Sequence, residues 1–260
     1  MSIVLNEREW AENAIENYQL GKNESQALTR VAQYYYQCQG YKKNETRDKL
    51  EEFFDRCNSN TPNKEKESLL DSALRQALKR PINEIEFVGV TEKELEVIAR
   101  LRNRELRRLM FTLICATKYY NIIRNITDSW VNTDGKEILE MANITTSVRE
   151  RSKLYRQLAE AGLTKESKII TSLNVQVQCL DLKESPVLLI TDFRNLGNQY
   201  RMYCGDAFFQ CVQCGITQRR NSNSQKYCHD CAAEIYIKKS VESVMIQRTL
   251  AKSSEISPHN

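Results

Sequence analysis

Residues 147–161 read SVRERSKLYRQLAEA, and the reading of the middle of the chain turns on this stretch. Ser147 followed by Glu150 is a capping box, in which the cap hydroxyl and the glutamate each meet a backbone N–H that the first helical turn leaves free. Gly162 supplies the stop. On a helical wheel Leu154, Leu158, Val148, Tyr155 and Ala159 gather on one side, whereas Arg149, Lys153 and Arg156 fall on the other at i, i+4 and i+7. Arg151 leans toward the apolar side and is the weakest of the cations. An apolar side held in a core with long cations reaching outward suits contact with phosphates and base edges. An ordinary amphipathic helix with a solvated face has the same composition, so neighbouring segments must decide.

On the N-terminal side, Thr91-Glu-Lys-Glu94 is a second capping box and opens a helical stretch reaching about Arg124, with a break near Asn103. Leu109 to Ile123 is apolar enough to be core. Thr133 is placed to cap a short helix through Met141, and Asn143-Ile-Thr-Thr reads as a turn. On the C-terminal side, Leu173, Val175, Val177 and Cys179 alternate with Ser172, Asn174, Gln176 and Gln178, which predicts a half-buried strand. Pro186 precedes a second strand, Val187 to Thr191. Helix, short helix, turn, helix and strand pair, in that order, resembles a winged helix-turn-helix. The resemblance implies that the helix from Ser147 enters the DNA major groove. The wing expected from it argues the other way, because it carries Asn174, Gln176 and Gln178 and no cation before Lys183.

Charge is unevenly spread. Residues 1–90 hold 13 Lys and Arg against 15 Asp and Glu, whereas residues 91–124 hold 8 against 4, within a net charge of only +4 for 260 residues. Arg100, Arg102, Arg104, Arg107 and Arg108 stand together with only Glu105 against them. A solvated helix face is the plain reading of such a run. Arg100, Arg104 and Arg107 become accessory phosphate contacts if a duplex lies nearby.

Gly (8) and Pro (4) are scarce and the hydrophobic content is 41%, so a mainly α protein with a small β part and a real core is expected. The first 90 residues read as a helical domain, with segments Asn6 to Tyr18, Ser25 to Cys38, Asn44 to Cys57 and Lys64 to Lys79. Residues 91–197 form the winged-helix-like domain. Residues 198–252 form a cysteine-bearing module with a terminal helix, and residues 253–260 a disordered tail.

In that module Cys211-Val-Gln-Cys214-Gly and Cys228-His-Asp-Cys231 are two C-x2-C knuckles, and four soft thiolates at this spacing predict one structural Zn2+. His229 sits inside the second knuckle and is not counted as a ligand. Tyr200 to Cys204 and Ala207 to Gln210 suggest a hairpin into the first knuckle. An uninterrupted helix leaves the second knuckle and reaches about Lys252. The arrangement resembles a treble-clef or zinc-ribbon module, a class that binds nucleic acid, binds protein or serves only as a staple. The other five cysteines, Cys38, Cys57, Cys115, Cys179 and Cys204, lie at irregular spacing, as expected of reduced thiols in a cytoplasm. Neither a signal peptide nor a membrane span is expected.

The stretch Ile190 to Tyr200, together with Lys226-Tyr-Cys228, resembles uncharacterised proteins of bacteriophages and mobile elements of low-GC Gram-positive bacteria. The resemblance extends over roughly residues 90–240 and implies DNA binding. No catalytic constellation competes with it. Only His229 and His259 occur, no P-loop or G-x-G-x-x-G is present, and a zinc saturated by four cysteines leaves no position for water. The expected protein is a non-enzymatic, cytoplasmic DNA-binding factor, for duplex DNA, in transcriptional control or replication initiation. The competing expectation is an interaction factor for a host or phage protein, with zinc serving the fold alone.

Overall fold

The computed structural model describes residues 3–21, 23–57, 59, 61–131, 134–166 and 174–254. Two compact units divide the chain, Met1–Gly197 and Asn198–Asn260. Helix dominates, as composition predicts, and no helix among the described residues is long and apolar enough to cross a membrane.

The first unit begins with α1 (Glu7–Asn17), α2 (Glu24–Gln33), α3 (Lys43–Arg56) and α4 (Asn63–Ala77). Asn6 and Asn23 cap α1 and α2 by accepting from the backbone N–H groups of Glu9 and Gln26. A five-residue π-helical turn, Tyr34–Cys38, prolongs α2. Leu28, Val31, Leu50, Phe53 and Leu70 pack into one buried cluster. Glu7 is buried beside it and is fully engaged, accepting from Arg30 Nε at 3.1 Å, Arg80 Nη2 at 2.9 Å and the Asn83 N–H at 3.0 Å.

Next come β1 (Val88–Val90), α5 (Glu92–Ala99), α6 (Arg104–Arg124), β2 (Trp130–Val131), α7 (Gly135–Met141), α8 (Val148–Glu160), β3 (Thr164–Glu166), β4 (Val175–Val177) and β5 (Leu188–Ile190). Asn103 is the break between α5 and α6, its side chain accepting from the Glu105 N–H. α6 is the central rod. Leu109 through Tyr119 is buried without interruption, and α5, α7, α8, β1, β2 and β4 all pack on it. A buried ion pair fastens this region: Lys118 Nζ lies 2.7 Å from Glu94 Oε2 and 2.9 Å from the Gly89 carbonyl oxygen. Glu94 also accepts from the N–H groups of Thr91 and Asp181, so one carboxylate ties α5 to α6 and to the chain before β5.

Thr133, expected to cap α7, lies outside the described residues; Asp134 supplies the cap, accepting from the Lys136 N–H at 3.1 Å. The expected pairing of 173–179 with 187–191 is corrected. β4 pairs with β3 on one side, Val177 opposite Thr164, and with β2 on the other, whereas β5 pairs with β1, Ile190 opposite Val88. Gly162, at φ +71°, returns the chain sharply after α8, so β3 reaches β4 locally and leaves Val187 onward free to find β1. The part of the expected strand at Ser172 and Leu173 lies outside the described residues. The resulting order is α6, β2, α7, α8, β3, β4, with the antiparallel sheet ordered β2-β4-β3.

The second unit contains most of α9 (Leu196–Tyr203), β6 (Phe208–Gln210), β7 (Thr217–Arg219) and α10 (His229–Ser254). The expected hairpin from Tyr200 to Gln210 is also corrected: Tyr200 to Tyr203 is helical, and β6 pairs with β7 instead. Leu196 and Tyr200, both buried, stand one helical turn apart, and this spacing overrides the strand preference of Tyr-Arg-Met-Tyr. Gly197 starts the helix against α7; a Cβ there would lie 1.9 Å from the Ala142 carbonyl oxygen. α10 runs through Ser254, and residues 255–260, including His259 and most of the expected disordered tail, lie outside the described residues.

Candidate metal centre and basic helix face

The β6–β7 hairpin presents the first knuckle at its turn. Phe208 stands opposite Arg219 and Gln210 opposite Thr217; the Cys211 N–H then donates to the Ile216 carbonyl and the Gly215 N–H to the Cys211 carbonyl. Gly215 occupies φ +73°, a conformation that a side chain resists, which explains glycine directly after Cys214. The second knuckle opens α10, where the Ala232 N–H donates to the Cys228 carbonyl at 2.9 Å. A polar loop joins the two, pinned where the Val212 N–H donates to the Lys226 carbonyl at 3.0 Å.

These elements bring the sulfurs of Cys211, Cys214, Cys228 and Cys231 within 4.8 Å of one another. A tetrahedral ion with bonds of about 2.3 Å to sulfur separates its ligands by about 3.8 Å, and Cys214 Sγ lies 3.7 Å from Cys228 Sγ. Cys211, Cys228 and Cys231 are buried. Backbone N–H groups point at the sulfurs, from Cys228 to Cys211 Sγ at 3.3 Å and from Cys231 to Cys228 Sγ at 3.4 Å. Burial pushes the Cys211 thiol up, but the N–H groups of Cys214, Cys228 and Gln213 outweigh it and bring the thiol down to about 6. Burial, reinforced by the crowding of the other three sulfurs, pushes Cys231 the other way. A cation among the four relieves that crowding. His229 lies outside the group, its side chain 92% exposed beside Asp230.

The α8 face is built as its sequence predicts. Ser147 Oγ accepts from the Glu150 N–H, and Glu150 accepts in return from the Ser147 N–H and from Thr146 Oγ1. The Thr146 hydroxyl, with the N–H and hydroxyl of Ser147, holds the Glu150 carboxyl below the usual range. Leu154, Tyr155 and Leu158 are buried and Arg149, Lys153 and Arg156 are exposed. Arg149 and Lys153 form no salt bridge among the described residues, whereas Arg156 Nε lies 2.8 Å from Glu160 Oε1. Val148, assigned by the wheel to the apolar side, is 71% exposed because it sits in the first turn, ahead of the packing with α6.

The arginine run separates into two kinds. Arg100, Arg102 and Arg104 are exposed, with Arg100 Nη2 4.0 Å from Glu96. Arg107 Nε is only 2.5 Å from the Leu101 carbonyl oxygen, so one of its donors is used on the chain between α5 and α6. Arg108 was not singled out by sequence. Its guanidinium donates to the Asn143 carbonyl oxygen at 2.5 Å, in the turn that precedes α8, and Asn143 Nδ2 donates to Asn195 Oδ1 at 2.9 Å. Arg108 is therefore a positioning residue for α8; only tertiary structure distinguishes it from its neighbours. Among the described residues, the four cysteines are the one cluster of metal-ligating side chains. Comparisons with protein-family models, curated proteins and solved structures return no match to this chain.

Proposed function

We propose that this chain is a non-enzymatic, cytoplasmic DNA-binding protein, with α8 as the helix that enters the major groove and a structural Zn2+ on the four cysteines. The observation that carries the reading is the exposure of Arg149 and Lys153, which form no salt bridge among the described residues, on the face of α8 opposite Leu154, Tyr155 and Leu158. The winged-helix-like connectivity supports it, since in that arrangement the helix after the turn is the one offered to DNA. Under this reading the antiparallel pair β3–β4 serves as the wing. It carries exposed Lys165, which removes the objection raised by the uncharged strand 174–178. Zinc follows from donor chemistry: four thiolates with no oxygen ligand suit a soft, tetrahedral ion and leave it no open position for catalysis. The resemblance of residues 190–200 to phage and mobile-element proteins fits such an origin, and the role proposed for it is transcriptional control or replication initiation.

Titration of duplex DNA at several salt concentrations tests the reading. Each phosphate contact contributes a slope of about −0.9 in log affinity against log salt, so Lys153→Ala should flatten the slope by nearly that amount. Arg156→Ala should do less, because Glu160 already neutralises it. A folded Arg149/Lys153/Arg156 triple-alanine variant with wild-type affinity and slope would rule out α8.

A second reading, an interaction factor with zinc serving the fold alone, is favoured by α10. That helix exposes Tyr236, Ile237, Val241, Val244 and Met245. A wild-type protein that binds no nucleic acid at low salt would leave this reading standing.

A further inference from the structure

The cation stripe on α8 is not the only surface suited to a polyanion. In the second unit a shallow groove of about 410 Å3 runs beside the first knuckle. Met202, Phe208, Phe209 and Val212 give it an apolar part, and Arg220 and Lys226 line it as well. Both are exposed, and neither forms a salt bridge among the described residues. The nearby acid Asp206 is already bound to Arg201, Nε to Oδ2 at 2.7 Å, and does not line the groove. The remaining polar lining is amide: Gln210, Asn223 and Gln225. Among the described residues the groove thus offers two cations and the side-chain amides of Gln210 and Asn223, with the Gln225 amide held by Asn221 and Tyr227, and no carboxylate.

We propose that this groove binds the phosphodiester backbone of nucleic acid, as a second contact carried by the other unit of the chain. The chemistry selects that ligand. Phosphates take charge-assisted hydrogen bonds from arginine and lysine and further bonds from side-chain amides, and the sugar edge lies against the apolar part. An acidic protein segment would be drawn by the same cations, but unpaired carboxylate acceptors favour several guanidinium forks over a row of amides. Backbone bonds hold the chain that carries the cations: the Val212 N–H donates to the Lys226 carbonyl, and the Arg220 N–H to the Ala207 carbonyl at the open end of the hairpin. This inference rests on the reading of the chain as a nucleic-acid-binding protein but not on α8 being the contact.

The test compares wild type, the α8 triple-alanine variant and Arg220→Ala/Lys226→Ala, all as full-length zinc-loaded chains, on a mixed-sequence duplex and on a single strand. The groove variant should flatten the duplex salt slope by about two contacts at 0.9 each, or the single-strand slope by about two at 0.7 each. The α8 variant should keep a residual, salt-dependent affinity. Arg220→Lys/Lys226→Arg should behave as wild type, since charge is retained. Should the alanine pair lose zinc, Asn223→Asp decides the matter: a carboxylate in an exposed loop position puts repulsion into the groove and should weaken binding several-fold at unchanged zinc content. Wild-type affinity and slope on both probes, in a groove variant with full zinc content, would overturn the proposal and leave α8 untouched. Loss of all binding in the α8 variant alone would do the same, and absence of binding by the wild type would remove both.

Discussion

The two units are held together by different means. In the first, Leu109, Met110, Phe111, Leu113 and Ile114 are completely or almost completely buried along one helix, and a second apolar cluster joins α1 to α4. In the second, a cluster of Cys211, Cys228 and Cys231, with Cys214 and Ile216 against it, accompanies a few buried aromatic residues, Tyr200, Phe208 and Phe209. Size explains the contrast. A unit of about sixty residues buries only about 60% of the surface its unfolded chain exposes, too little for an apolar core to hold it comfortably. Under the proposed reading a metal ion on the four cysteines would add to that small core, and its binding would be coupled to folding.

The largest expected effect tests that coupling. Chelation, or Cys228→Ser, should remove the metal and with it amide protection across 208–231, because a four-thiolate site contributes apparent free energies of about 10–16 kcal/mol. The amides of α6 should keep their protection. Full metal content in Cys228→Ser, or simultaneous loss of both units, would break the comparison. A smaller effect, on the first unit alone, should follow from Lys118→Met. The change leaves the Glu94 charge buried without its cation and should cost about 3–5 kcal/mol in denaturant unfolding. Metal content should not move; if it does, the two units do not fold separately. The smallest effect sharpens the description of α8. Ser147→Ala removes the acceptor of the Glu150 N–H and should cost about 1 kcal/mol, seen in the unfolding of the first unit. An unchanged midpoint would mean that α8 is set by its packing on α6 and by Arg108, not by its cap.

How much of this was legible in the sequence follows the range over which each interaction acts. The capping boxes at Thr91 and Ser147, the interruption at Asn103 and the stop at Gly162 are settled within four residues, and each lies where its pattern places it. The cysteine knuckles are legible for the same reason, since two residues between ligands fix a local geometry. Strand partners were not. β4 and β5 are three residues long, and nothing within them says that Val175 belongs with Glu166 and Leu188 with Val90. Tyr200 to Tyr203 misled because aromatic residues fit strands, while the contact that makes them helical reaches back to Leu196. Arg107 and Arg108 look like their neighbours in composition; the carbonyls of Leu101 and Asn143 that occupy them belong to backbone turns.

The placement of the four ligands has a consequence during synthesis. A chain leaves the ribosome from its N-terminus, and domains fold as they emerge. Residues 1–197 precede every ligand, so the first unit can fold before any metal is needed. Cys211 and Cys214 then emerge as an isolated pair, and Cys228 lies 14 residues behind Cys214, a wait of roughly one to three seconds at about 5–20 residues per second. During that interval the nascent chain displays half of the candidate metal site. If the site takes up a metal as proposed, metal supply would govern the proportion of finished chains whose first unit is native and whose second is open to proteases.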